Sequence, residues 1–298
     1  MDSILSQYYM IIQNDSIKMS LPEGVSFQNQ TLIFDNQEPV EIEVIYQLTN
    51  QEHFSMHYQF ERNVQVNLIE IHEFSSRIYF EKTMEIKEHA QVHIFHQNTS
   101  QNTNEATFNQ EVHLHRDASC QCGYAEFSNE NVDANYIYHL DGENASAKVR
   151  MAILSQNQSR KHYEVLIQHN RPHTFGQMDN YGVVKDEGRL TIDGIGTITK
   201  GQYGSSSHQT NKIMVFDSSC IASANPYLYI DEYDVKASHA AGVGKMDEEH
   251  LYYLQSRGLT KKQSMQLITY GYLHPVVEVI DNEALKEQFE SVLSKVGE

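Results

Sequence analysis

The sequence predicts a mainly β protein: a β-solenoid followed by a small α-helical C-terminal subdomain. Three observations carry this. Apolar residues recur with period two from about Thr31 to Ile230, the spacing that puts side chains on one face of a strand. Short polar turns with a small residue at a fixed place separate these runs. In about the last fifty residues the period changes to that of amphipathic helices.

The strands read in order. Val40, Ile42, Val44 and Tyr46 form one alternating set, and Phe54, Met56, Tyr58 and Phe60 the next. Met84 and Ile86, Val92 and Ile94, and Val112 and Leu114 continue the pattern. The turns Glu88–Val92, Arg116–Cys120 and Glu143–Ala147 share one form, and their alanines, Ala90, Ala118 and Ala145, recur at nearly equal intervals. A small residue recurring at a turn is how a solenoid stacks its rungs. A β-sandwich meets the period-two pattern as well, and the recurring turn favours the solenoid.

Asp247 is placed to cap a first helix carrying Leu251 and Leu254, with Gly258 after its end. Thr260 to Gln263 spells a capping box for a second helix with Met265, Ile268 and Tyr272, and His274-Pro275 ends it. A third helix is expected from Asp281 or Asn282, with Leu285, Phe289, Val292, Leu293 and Val296 on one face. The expected divisions are 1–30 as a short N-terminal extension, 31–240 as the solenoid and 241–298 as the helical subdomain.

The net charge of −18, from 22 Lys+Arg against 40 Asp+Glu, argues against nucleic acid or an anionic membrane as partner. Three cysteines without regular spacing exclude a disulfide framework and fit a reducing compartment. With no apolar run of membrane-spanning length and no basic leader, the expectation is a cytoplasmic protein.

Several motifs could carry chemistry. Gly242-Val243-Gly244-Lys245-Met246 lacks the first glycine and the final Ser/Thr of a phosphate loop, and Gly194-Ile195-Gly196 lacks the third glycine of a dinucleotide fingerprint, so no bound nucleotide is expected. His113 and His115 with Cys120 and Cys122 offer a metal-ligand set, against the plainer reading that each pair merely obeys the strand period. Asp193, Asp217, Asp231 and Asp234 would suit a carbohydrate-active β-helix, but the chain has no tryptophan and acidic turns ordinarily face water. Cys220 and His239 would be neighbours if the stretch between them made up one rung. A thiolate and an imidazole together suit iron or an iron–sulfur cluster. The plainer reading is a small rung cysteine and a solvated turn histidine.

The uninterrupted block from Asn225 to Leu259, NPYLYIDEYDVKASHAAGVGKMDEEHLYYLQSRGL, resembles the C-terminal signature of the SufB/SufD family of iron–sulfur cluster assembly scaffolds, in its SufD-type form. Gly188 to Gly194 and Gly201 to Lys212 are similar to the family's β-core more loosely. The resemblance implies a right-handed parallel β-helix and a non-enzymatic scaffold role. It implies pairing through the β-helix with SufB or with a second copy, and docking of the SufC-type ABC ATPase on the C-terminal helices. Sulfur-donor proteins would act indirectly, and the cargo would be iron or a transient Fe–S cluster. His239 falls on the family's implicated histidine. Cys220, six residues before Pro226, stands where SufB-type members carry a cysteine. Asp247, Glu248, Leu251, Tyr252, Leu254, Arg257, Ile268 and Tyr272 fall on the ATPase-docking segment. Two departures stand out: the cysteine expected two residues before the histidine is Ala237, and the following glycine is Ala240. The family's N-terminal helical region is expected to be mostly absent. A structural homodimer without a cluster site is the remaining alternative.

Overall fold

The computed structural model describes the chain except residues 1–6, 15, 50, 51, 101, 103, 280–285, 288, 289, 291, 292 and 295–298. Nineteen strands are present among the described residues: β1 (Tyr9–Gln13), β2 (Ser16–Ser20), β3 (Val25–Gln28), β4 (Thr31–Phe34), β5 (Val40–Leu48), β6 (His53–Phe60), β7 (Gln65–Phe74), β8 (Ile78–Ile86), β9 (Gln91–Asn98), β10 (Glu105–Leu114), β11 (Ser119–Glu126), β12 (Asn131–Leu140), β13 (Ser146–Ser155), β14 (Arg160–His169), β15 (Phe175–Val184), β16 (Arg189–Ile198), β17 (Ser206–Val215), β18 (Ile221–Ile230) and β19 (Lys236–Lys245). Then follow α1 (Glu248–Ser256), α2 (Lys261–Leu273) and a 3-10 turn at His274–Val279.

From β4 on, successive strands alternate between two sheets. One sheet has ten strands in the order β19-β17-β15-β13-β11-β9-β7-β5-β1-β2, and the other nine in the order β18-β16-β14-β12-β10-β8-β6-β4-β3, so that parity assigns the sheet for every strand but β2 and β3. All pairings are parallel except the β1–β2 and β3–β4 hairpins that close the N-terminal end. This is a parallel β-solenoid of about seven turns. The expected division at residues 30/31 cuts through the hairpin of β3 and β4, and that at 240/241 falls inside β19. The short runs before Thr31 form two local hairpins, β1 with β2 and β3 with β4, and β1 also joins the parallel ladder, Met10 opposite Val44; runs of four or five residues are too short for the period-two pattern to announce them.

The turns of the solenoid lengthen along the chain. One turn leads from Phe54 to Phe80 near the N-terminus, and a longer one from Ile192 to Ala224 near the end. Side chains alternate inward and outward, and the inward rows fill a continuous core. The repeated corner has a physical cause. His89, Asp117 and Asn144 adopt positive φ of 60°, 57° and 60°, and the alanine after each is buried. Each alanine N–H closes the turn on the carbonyl three residues back, at 3.1–3.2 Å. The left-handed residue then donates to the next rung, His89 to the Arg116 carbonyl and Asp117 to that of Glu143. A larger side chain at the alanine would collide with the rungs stacked on it.

The helices lie on the outer face of the ten-stranded sheet. Ile69, Ile71, Phe95, Phe127, Leu154 and Val183 there form a second apolar cluster with Leu273, Val276 and Val277. Asp247 caps α1 by accepting the Glu249 N–H at 2.8 Å, and Gly258 follows its end at φ 97°. The capping box forms as expected: the Gln263 N–H donates to Thr260 Oγ1 at 3.2 Å and the Thr260 N–H to Gln263 Oε1 at 2.9 Å. Of the expected third helix, residues 281, 282, 285, 289, 292 and 296 lie outside the described residues, while Leu293 is helical and buried.

Candidate functional site

Among the described residues, the solenoid is closed at its N-terminal end by hairpins and open at the other. β18 and β19 are the last strands of their sheets, and each is ten residues long. Every residue of β19 is exposed. Lys236 and Met246 donate their N–H groups to β17, at the carbonyls of Ser205 and Val215. In a parallel ladder alternate residues face alternate sides, so Ala237, His239, Ala241 and Val243 turn their backbone polar groups to the open edge. Their side chains continue the inward rows of Ser207, Gln209, Asn211 and Ile213, which are buried one rung below. On β18, Ile221 and Asp231 bond back toward β16, which leaves the even positions facing out. Pro226, which has no N–H, occupies one of them, a placement typical of edge strands. Tyr227, Tyr229 and Tyr233 are exposed around this end.

His239 therefore stands on the open end, in register with Gln209. Cys220 does not stand beside it, and the expectation that they are neighbours is corrected. A full rung here leads from Gln209 to His239, so the shorter stretch back from His239 to Cys220 ends on the opposite sheet. Gln209 donates to the Tyr227 carbonyl at 2.8 Å, which places His239 over Tyr227, seven residues beyond Cys220. At roughly 3.3 Å per residue that separates the two by about 20 Å. Cys220 fills a corner position instead. Its N–H closes the turn on Asp217 at 3.2 Å, as those of Ser159 and Gly188 do on the same corner in the two preceding rungs. Burial pushes the thiol up, with the Asp217 and Asp186 carboxylates adding to the shift against hydrogen bonds from the Asp217 and Phe216 backbones.

The His113, His115, Cys120 and Cys122 set is not brought together. Cys120 and Cys122 point into the core with their sulfurs 3.4 Å apart. The two histidines point outward, His113 to Asp141 at 2.7 Å and His115 to Glu85 at 3.0 Å. Strand alternation explains this, since all four obey the period. The acidic set is dispersed too. Asp193 binds His162 and Asn225 on the outer face, Asp217 accepts the Asp186 N–H at a corner, and Asp231 and Asp234 lie in the exposed β18–β19 turn. Gly242 to Lys245 and Gly194 to Gly196 are strand, not phosphate-binding loop.

Sequence reasoning missed the charged groups inside the solenoid. Glu70 on β7 reaches across the interior to Lys82 on β8, both buried, and accepts from Tyr58 Oη at 2.8 Å. Glu126 and Lys161 form a second buried pair at 2.9 Å. Burial alone would raise the Glu70 carboxyl, but the Lys82 ammonium overrides it and holds it far below the usual carboxylate range. Burial drives His72 strongly down and keeps it neutral. The inward positions of Glu70 and Lys82 in their alternating strands were the available signal.

On the helices, Leu251, Ile268 and Tyr272 pack partly buried against the solenoid, and Leu254 is half-buried. Asp247, Glu248, Tyr252 and Arg257 are exposed. Tyr253 and Leu267, not singled out in the sequence, are exposed as well. A groove of about 710 Å³ opens beside α2, lined by Leu259, Gln263, Gln266, Leu267 and Tyr270 among others. No helix among the described residues is long and apolar enough to cross a membrane.

A two-sheet parallel β-solenoid with an open C-terminal end and a helical pair docked on its flank is thus the class that fold and site define. A family model described as SUF system FeS cluster assembly, SufBD core domain, matches residues 46–272. The chain belongs to the SufB/SufD family and is a SufD-like member of it. It is 32% identical over 157 residues to the iron–sulfur cluster assembly protein SufD of Bacillus subtilis, covering 53% of this chain and 36% of that protein. The Escherichia coli SufD matches at 26% over 159 residues, 53% of this chain and 37% of that one. The Bacillus subtilis SufB matches at 24% over 144 residues, 48% and 31% of the two chains. The matched segments thus span little more than a third of the SufD relatives' length.

Proposed function

We propose that the chain is a non-catalytic scaffold subunit in SUF iron–sulfur cluster assembly, acting in the cytoplasm. Its open solenoid end pairs with that of a SufB-type subunit or a second copy, and its helices dock a SufC-type ABC ATPase. The observation that carries this reading is the open end. Two long edge strands, unpaired on their outer side among the described residues and lying over the inward row of Ser207, Gln209, Asn211 and Ile213, are an invitation to strand pairing that folded proteins ordinarily cover. Iron or a nascent cluster is the cargo there, and nucleotide is bound by the ATPase and not by this chain. The test is sedimentation of the chain alone and mixed with a SufB-type subunit. A complex in at least one case is expected; a monomer in both would refute the pairing.

His239 is the better candidate for cargo on this end. Cys220 is remote from it, and its raised pKa disfavours the thiolate that binds metal. His239→Ala is therefore expected to lower reconstituted cluster assembly about tenfold or more while leaving the paired complex intact, and Cys220→Ser to change it by less than about twofold. Equal losses would overturn the ranking.

The exposed side of the helices supports a docking face different from the one the helical period marks. Leu251, Ile268 and Tyr272 face the solenoid, so Tyr252→Asp and Leu267→Asp are the discriminating variants. Each is expected to abolish co-purification with the ATPase without lowering thermal stability. Leu251→Asp should lower stability as well. Retained docking in both exposed variants would remove this face from consideration.

A further inference from the structure

The outer face of the nine-stranded sheet holds a cluster that the scaffold reading does not use. Glu111 and His113 are two residues apart on β10, and His139 on β12 lies directly across from His113 in the parallel ladder. Glu111, His113 and His139 each offer one ligand atom, all within 4.8 Å of one another. Glu111 Oε1 is 2.9 Å from His139 Nε2 and 3.5 Å from His113 Nε2. Tetrahedral coordination with bonds of about 2.1 Å sets ligand atoms about 3.4 Å apart, so these separations are of the right size.

We infer that Glu111, His113 and His139 form a surface site for one borderline divalent transition cation, of the Zn²⁺ or Fe²⁺ class. A second set of contacts supports this. His113 Nδ1 is 2.7 Å from Asp141 Oδ2, and Asp141 Oδ1 accepts from Asn170 Nδ2 at 2.7 Å. An Nδ1–H held by a fixed carboxylate fixes the ring and leaves Nε2 as the outward ligand atom, the usual arrangement behind a metal-bound histidine. In that tautomer the Nε2 lone pair faces the Glu111 carboxylate oxygen at 3.5 Å, a spacing that a cation bound between them would bridge. Two imidazoles and one carboxylate with the remaining positions open to water suit Zn²⁺ or Fe²⁺ over Ca²⁺ or Mg²⁺.

The histidine rings stack at 4.5 Å and 11°. Loading therefore turns the His139 ring out of the stack and replaces its hydrogen bond to Glu111 with a bond to the cation. Any proton on Nε2 of His139 moves to Nδ1 or to solvent. The helices cover the other sheet, so this face is open to solvent among the described residues. His115, bonded to Glu85, takes no part. The buried group of Glu70, His72 and His96 is a different case, because the Lys82 ammonium already supplies the cation there.

The test is an anaerobic titration of the full chain with Co²⁺, followed by displacement with Zn²⁺ and, separately, Fe²⁺. It is run in a Cys220→Ser background that removes the partly exposed thiol. One saturating equivalent is expected, with visible d–d bands and no sulfur-to-cobalt charge transfer. His113→Ala and His139→Ala should each weaken binding at least about tenfold and Asp141→Asn about tenfold to a hundredfold. His115→Ala should leave it unchanged, and circular dichroism of the metal-free variants should match the parent. Absence of saturable binding, charge-transfer bands from cysteine, or equal binding in the His113→Ala and His139→Ala variants would overturn the assignment.

Discussion

Lys82→Ala is expected to destabilise the solenoid by about 3–5 kcal/mol, the usual cost of leaving one partner of a buried ion pair without the other. Glu70 is fully buried and Lys82 nearly so, and the pair joins the two sheets through the interior. Removing the ammonium leaves the carboxylate with the Tyr46 and Tyr58 hydroxyls and two histidines that burial disfavours in charged form. The double variant Glu70→Gln with Lys82→Met should recover most of the loss, because no isolated charge then remains. Urea unfolding of the three proteins checks this, and a single variant as stable as the parent would contradict it. The pair also predicts acid lability. Glu70 has a folded pKa depressed below its unfolded value of about 4.5. Its contribution is therefore full above that value and is lost progressively as pH falls below it. In Glu70→Gln with Lys82→Met, the decline in stability below about pH 4.5 should be shallower.

Val243→Lys is expected to abolish pairing at the open end. The side chain lies in the inward row of β19, 47% exposed in the single chain, so the monomer tolerates the lysine. A partner solenoid seated on that end would bury the charge without a counter-ion, a cost of several kcal/mol. Ala241→Pro tests the edge by another route. Its N–H faces the open side, so the β17–β19 ladder survives, while a partner strand loses one hydrogen bond and meets a ring. The association constant should fall about tenfold. Ala240→Ser, on the outer face of the same strand, is the control and should pair normally. Pairing undiminished in Val243→Lys would show that the partner sits elsewhere.

Particular residues show what was legible in the sequence. The strand runs at Val40–Tyr46 and Phe54–Phe60, the alanine corners and both helix caps rest on local rules, namely alternation, a small residue at a crowded turn, and side chains satisfying free backbone groups. The block from Asn225 to Leu259 carried the family for the same reason, since it is continuous in sequence. Cys220 and His239 were misplaced relative to each other because proximity in a solenoid depends on the rung length. That length rises along the chain, from the step between Phe54 and Phe80 to the longer one between Ile192 and Ala224. It is set by corners whose sizes the period-two pattern does not contain. The helix face from Leu251 to Tyr272 was recognisable as apolar, but what covers it was not. The outer positions Ile69, Phe95 and Val183 that receive it are scattered over several rungs.

The sequence by itself determined the elements: a long series of strands with recurrent corners, two capped helices, and membership in the SufB/SufD family. Only the tertiary structure decided which side chains meet. It put His239 on an open edge and Cys220 in a corner. It drew Glu70 to Lys82 inside the solenoid and aligned Glu111, His113 and His139 on its outer face. The physical reason is that alternation assigns each residue a face, while the stacking of rungs, a long-range register fixed by corner size and backbone hydrogen bonds, assigns it its neighbours.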